Sequence, residues 1–212
     1  MTHRIVSPLP RHARWLSAIA AATLLAACAS PEPRLYTLAA GAEPAAAAAT
    51  AASPAAGQPV WIEVAPVRVP ERLNRKQLVV RDGGGDALTL LEQSRWSAPL
   101  PDELRDALSQ RLQVVLGAVD VYQQGLSDVQ PLYRVTTEVI RMDAELGQRA
   151  AATINWTVRR LPDGKMVAGR TQADLPAPGG AEGVVAAYRQ VVNNTAADIA
   201  AAMDGLRLNA AR

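Results

Sequence analysis

A single cysteine, Cys28, closes a short apolar run, and that arrangement constrains everything downstream. Trp15 to Ala27 is apolar or small throughout, which is too short to cross a bilayer comfortably, since a span takes about 20 apolar residues. Arg4, Arg11 and Arg14 precede and enter it with no acidic residue among them, and it ends in Leu25-Ala26-Ala27-Cys28. Small residues just before a cut, with cysteine just after it, form the pattern of a secretion signal whose mature N-terminus is lipid-modified. Sulfur is required there because the diacylglyceryl group is attached through it, and cleavage then frees the Cys28 amine for a further acyl chain. One buried acyl chain holds a protein only marginally, at about 10⁴ M⁻¹, whereas two or three make attachment stable. The expectation is a signal at residues 1–27 and a mature chain anchored to a membrane rather than spanning it.

With its one cysteine at the anchor, the chain can form no internal disulfide, despite the oxidising compartment that a secretion signal implies. The fold must therefore rest on an ordinary hydrophobic core, which the remaining 185 of 212 residues can supply as one domain. The signal also carries away both histidines, His3 and His12, and three arginines, but no acid. The mature chain then has 19 basic side chains against 20 acidic ones, so the sequence pI of about 9.0 belongs to the precursor. A nearly neutral chain has no basic patch for nucleic acid. Without histidine or thiol, Ser-His and Cys-His nucleophile pairs and His- or Cys-based zinc sites are excluded, and no metal or other cofactor is expected.

Residues 41–59, GAEPAAAAATAASPAAGQP, are low-complexity Ala/Pro sequence with one charge. The stretch between Pro44 and Pro54 is too short to hold a helix unaided, so the segment reads as a loop or linker. Before it, Arg34-Leu35-Tyr36-Thr37-Leu38 is a short strand-like run. After it, Val60, Ile62 and Val64 alternate with Trp61, Glu63 and Ala65. Gln77–Arg81 and Ala87–Leu91 flank Asp82-Gly83-Gly84-Gly85-Asp86, which reads as a hairpin with a glycine tip. A phosphate loop would need a Gly-Lys-Ser/Thr ending and a following helix, and that run has neither.

A first helix is expected from Pro101 to Leu116. Proline suits its first turn, Asp102, Glu103 and Asp106 complement its dipole better than they form a catalytic cluster, and Gly117 suits the stop. Leu104, Leu108, Leu112 and Val115 define its apolar face. Three strands follow. Tyr133, Val135, Thr137 and Val139 alternate with Arg134, Thr136, Glu138 and Ile140; Ala152, Ile154, Trp156 and Val158 alternate with Thr153, Asn155, Thr157 and Arg159. Pro162-Asp163-Gly164 turns into the third, Met166–Ala173. The sequons at Asn155 and Asn193 carry no weight in a bacterial chain of this kind. A second helix, about Ala181 to Met203, points Val184, Tyr188, Val191, Thr195, Ile199 and Met203 inward. The fold class these elements imply is α+β, an antiparallel sheet packed against two helices in a single domain after the signal peptide. The organisation expected is signal 1–27, lipidated N-terminus and first strand 28–40, Ala/Pro segment 41–59, globular domain 60–206 and a tail 207–212.

The chain resembles a known family, the PqiC-like auxiliary lipoproteins of ABC-type transport systems. The resemblance runs from just after Cys28 to about Leu206. It is carried by Leu35-Tyr36-Thr37-Leu38, by Val64-Ala65-Pro66-Val67-Arg68-Val69-Pro70, by Leu73-Asn74-Arg75, and most specifically by Arg95-Trp96-Ser97-Ala98-Pro99-Leu100 feeding Leu104-Arg105. The Ala/Pro segment is longer and more biased than the family pattern. The resemblance implies a partner rather than a reaction: MCE-domain proteins and inner-membrane transporter components that carry lipid between two membranes. It implies no catalytic residues and is compatible with a homo-oligomer. Ala29 follows Cys28, so the aspartate that commonly retains lipoproteins in the inner membrane is missing, and an outer-membrane site facing the periplasm is expected.

Two further readings belong to other classes. A periplasmic lipid-binding carrier would need a closed apolar pocket, where an adaptor would have a filled core. A hydrolase using carboxylates alone would need two acids facing each other across a cleft, and the sequence offers no obvious pair. The residues singled out are Cys28 for lipidation, and Arg95 and Trp96, just before the first helix, for the core or for a partner.

Overall fold

Strict period-two alternation in the second half of the chain builds the centre of the sheet. In the computed structural model, which describes residues 32–39, 60–81, 83, 85–126 and 128–208, the elements run β1 (Arg34–Tyr36), β2 (Val60–Val64), a 3₁₀ turn (Glu71–Leu73), β3 (Gln77–Arg81), β4 (Leu88–Trp96), α1 (Leu100–Leu116), β5 (Ala118–Asp120), β6 (Tyr133–Glu145), β7 (Arg149–Arg160), β8 (Met166–Pro176) and α2 (Ala181–Leu208). The signal, Cys28 and the 41–59 segment lie outside the described residues. β6, β7 and β8 form an antiparallel meander, paired from Tyr133↔Arg160 to Arg149↔Pro176. Tyr133, Val135, Ile154 and Val158 turn inward, where all are buried, while Arg134, Thr136, Arg159 and Arg170 stand exposed on the other face. Both helices cover the inner face, α2 across β7 and β8 and α1 against β5 and β2, and they pack on each other.

The α+β class with two helices is what the sequence implies, but the eight-stranded sheet is mixed rather than wholly antiparallel. One edge of β6 pairs with β7 along its length; the other is shared by β2 at its start and β3 at its end, both parallel to it. β2 also pairs in parallel with β5, and β1 with β4. Only the β3–β4 hairpin and the meander are antiparallel. Alternation reports which residues face the core and is silent on strand direction; parallel pairs need crossover connections, which here run through the hairpin and α1.

Several boundaries move for identifiable reasons. β6 continues to Glu145 because a bulge at Ile140 flips the phase: Val139 opposes Ile154 and Arg141 opposes Thr153. Beyond the bulge the inward residues are Met142 and Ala144, so the pattern that ends at residue 140 resumes one position out of step. α1 ends at Gly117, whose φ of +59° suits glycine, as expected. Val115, however, is 45% exposed, because Leu104, Leu108 and Leu112 already fill the inward stripe. α2 keeps its whole expected stripe buried and runs on to Leu208; Leu206 is buried, and the Arg160 guanidinium donates to its carbonyl at 2.7 Å.

Gly169 lies opposite Trp156 in the β7–β8 pair, and a Cβ there would stand 2.2 Å from the indole ring. That ring cannot swing away, since its Nε1 donates to Thr171 Oγ1 at 3.1 Å, which in turn donates to Asp198 at 2.5 Å. Gly169→Ala is therefore expected to destabilise the fold by about 1–3 kcal/mol, the usual cost of overpacking. Urea unfolding checks this, and an unchanged midpoint would show that the indole can move.

Candidate functional site

Two constellations stand out, joined through the first turns of α1. The first fastens the chain that follows Cys28. β1 begins six residues after that cysteine and pairs with Ser94–Trp96 at the end of β4. Glu103, in the first turn of α1, is 5% exposed and holds the segment with both oxygens. Oε2 accepts from Thr37 Oγ1 and Leu38 N–H, each at 2.8 Å; Oε1 accepts from Ala98 N–H at 3.1 Å and from the Ser97 hydroxyl. From α2, the Arg189 guanidinium donates to the Thr37 carbonyl at 2.8 Å. Glu182 accepts from Tyr36 Oη at 2.9 Å and pairs with Arg34 at 3.0 Å. Leu38, 2% exposed, ends the segment inside the core.

This clasp has a pH sense. Its own backbone N–H, followed by the Tyr36 hydroxyl, holds the Glu182 carboxyl below the ordinary glutamate range. A lowered folded-state pKa means the contribution is complete above the unfolded value and is lost as pH falls through the lowered one, so acid weakens the contacts of Glu182 with Tyr36 and Arg34.

Sequence reasoning assigns Asp102, Glu103 and Asp106 alike to the helix dipole; the structure separates them. Glu103 is the buried hub of the clasp, whereas Asp106 accepts from Arg105 at 2.8 Å on the surface side. The nearby Ser97 is a local hint of a cap, but the reach to Leu38 crosses 65 residues and leaves no trace in sequence. Arg95 and Trp96 separate as well. Trp96 is 3% exposed, beside Leu78, Leu100, Met142 and Tyr188, and its backbone N–H donates to the Lys76 carbonyl at 2.6 Å. Arg95 is half-exposed and donates to the Glu92 carbonyl at 2.9 Å.

The second constellation lies at the start of β6. The loop between β5 and β6 borders an open groove of about 400 Å³ that includes Glu63, Tyr122, Leu126, Pro131 and Arg134. Tyr122 is 60% exposed and Leu126 and Leu132 are each 37% exposed, while Glu63 and Arg134 pair at 2.9 Å on the rim. Beneath them Arg105 and the fully buried Asp120 form an ion pair at 2.8 Å. Asp120 also accepts from Ser109 Oγ at 2.6 Å and Tyr122 N–H at 3.1 Å, and the Arg105 guanidinium lies 4.4 Å from the centre of the Tyr122 ring. Between the helices and the sheet, by contrast, the space lined by Val67, Leu104, Leu108, Val139, Ile154 and Val192 amounts to about 10 Å³.

Comparison with known proteins agrees with this architecture. A crystal structure of an uncharacterised protein superposes with a TM-score of 0.63 at 18% identity, covering 82% of this chain and 99% of that one. Protein XCC0632 from Xanthomonas campestris gives 0.53 at 19% identity, covering 73% and 93%. At these identities the likeness is one of fold. No curated protein matches the chain. The family model described as the ABC-type transport auxiliary lipoprotein component matches residues 36–200, from within β1 to within α2. The chain belongs to the family of ABC-type transport auxiliary lipoprotein components.

Proposed function

We propose that this protein is a non-catalytic outer-membrane lipoprotein, anchored through Cys28 and facing the periplasm, that serves an MCE/ABC-type lipid transport system and so contributes to envelope integrity. Its partners in this reading are an MCE-domain protein and the inner-membrane transporter components. The observation that carries it is the family match across nearly the whole folded domain. The clasp supplies the mechanical part. A strand that starts six residues after the lipidated cysteine, locked to both helices, keeps the domain within about 20 Å of its anchor at roughly 3.3 Å per residue.

The alternative is a carrier that encloses lipid. Ligand pockets usually hold about 300–1,000 Å³, and the apolar space between helices and sheet is about 10 Å³, which favours the adaptor.

Cys28→Ser removes the sulfur that accepts the diacylglyceryl group, so radiolabelled palmitate should enter the wild type alone and the variant should be uncleaved or soluble. Equal labelling of both would end the anchoring proposal. Crosslinking of the anchored wild type in cells, followed by identification of the attached proteins, tests the partner assignment: an MCE-domain protein is expected, and its absence counts against the transport role.

A further inference from the structure

The direction in which the chain enters β1 tells which end of the domain meets the bilayer. Leu35, Arg95 and Gln77 lie in one row across β1, β4 and β3. β1 runs parallel to β4 and β4 antiparallel to β3, so β3 leaves this row toward the side from which the chain arrives. Cys28 is seven residues before Leu35, a reach of at most about 23 Å; Gly83, at the hairpin tip, is six residues beyond Gln77, about 20 Å in the same direction. The reach available to the Cys28 lipid from this row is thus about the same as the reach of the hairpin tip.

Other elements end at the same place. β3 runs parallel to β6, with Arg81 beside Glu145, so the β6–β7 turn at Leu146–Gln148 lies at this end. The start of α2 joins them, since Ala177 N–H donates to the Gln148 carbonyl and Glu182 pairs with Arg34. Three separate elements leave leucines exposed here: Leu35 at 65%, Leu88 at 43% and Leu146 at 40%. None belongs to the helix-covered core formed among the described residues. The Tyr122 groove borders the start of β6, a strand of 13 residues and so about 40 Å away.

We propose that the β3–β4 hairpin, the β6–β7 turn and the start of β1 form a membrane-facing end, with Leu88 and Leu146 entering the headgroup region of the bilayer beside the lipid on Cys28, and that the Tyr122 groove is thereby held at the end away from the membrane. The occupant of the leucine-bearing end is a lipid surface. The proposal rests on the anchoring of Cys28 and adds orientation to it: a lipid tether alone leaves the domain free to tumble, and two further apolar contacts fix its tilt.

The only native cysteine is consumed by the anchor, so one added cysteine gives a unique labelling site. Processed, lipidated protein carrying Leu88→Cys, Leu146→Cys or Leu126→Cys would be labelled with an environment-sensitive fluorophore. It would then be reconstituted into phosphatidylethanolamine/phosphatidylglycerol vesicles with and without nitroxide-bearing lipid. Groups lying about 5–10 Å into the headgroup boundary should be quenched about twofold or more at positions 88 and 146, with position 126 unaffected. Vesicle flotation, run in parallel, separates the two claims. Protein that floats without quenching at 88 and 146, or with quenching at 126 instead, overturns the orientation and leaves the anchor standing. Protein that does not float overturns the anchor and this proposal with it.

Discussion

Trp96→Ala is expected to lower the stability of the mature domain by about 3–5 kcal/mol, the range for removing a large aromatic from a packed core. The indole is 3% exposed and lies where the end of β4 meets the entry to α1, with Leu78, Leu100, Met142 and Tyr188 around it. It is also the strand partner of Tyr36, so its loss loosens the place where the segment after Cys28 joins the sheet. A domain of this size loses about 2–4 °C in melting temperature per kcal/mol, so a drop on the order of 10 °C should be seen. Trp96→Phe keeps an aromatic in the site and should lose less. The competing outcome is specific: a tryptophan used as a partner hot spot would leave melting unchanged while weakening association by about 2 kcal/mol or more. Thermal melts of purified domain beside a partner pull-down distinguish the two, and unchanged melting would remove Trp96 from the core.

The ease with which the helices and the meander can be read from sequence has a physical source. Each presents a mostly apolar face to one partner layer over much of its length, as with Val184 to Met203 on α2 or Ala152 to Val158 on β7. Where the pattern fails, a local device intervenes. The bulge at Ile140 shifts the phase of β6, and β5 at Ala118–Asp120 is only three residues long, too short to show a period. The parallel pairings of β1, β2 and β3 depend on crossovers that no local window contains. The site is less legible than the fold for the same reason. Its determinants are single polar side chains, Glu103, Arg105 and Asp120, each satisfied by groups distant in sequence as well as by near neighbours. The sequence holds no histidine or thiol beyond Cys28, but composition does not tell a dipole-complementing acid from one that ties two segments together.

The largest effect at the groove end is expected from Asp120→Ala. Asp120 is fully buried and accepts from Arg105, Ser109, Tyr122 N–H and Val64 N–H. Removing the carboxylate leaves the Arg105 guanidinium, 8% exposed, with the surface carboxylate of Asp106 as its one remaining ion-pair partner beside the Val64 carbonyl, and it orphans the backbone donors that shape the loop. Breaking one side of a buried pair costs about 3–5 kcal/mol, because the remaining charge stays desolvated without compensation. Tyr122 should also lose its fixed place over Arg105, since Asp120 holds its backbone and Arg105 faces its ring. Its fluorescence is hidden by tryptophan, so the aromatic ring signals in NMR are the better probe. Combining Asp120→Ala with Arg105→Met removes both charges and fills part of the space. Buried pairs exchanged for apolar groups are often near neutral, so the double variant should recover a substantial part of the loss. Urea unfolding of the wild type, both single variants and the double variant closes this cycle. Additive losses with no recovery would mean that Asp120 stabilises the loop through Ser109 and the backbone donors alone, and that the ion pair is incidental to holding Tyr122 at the groove.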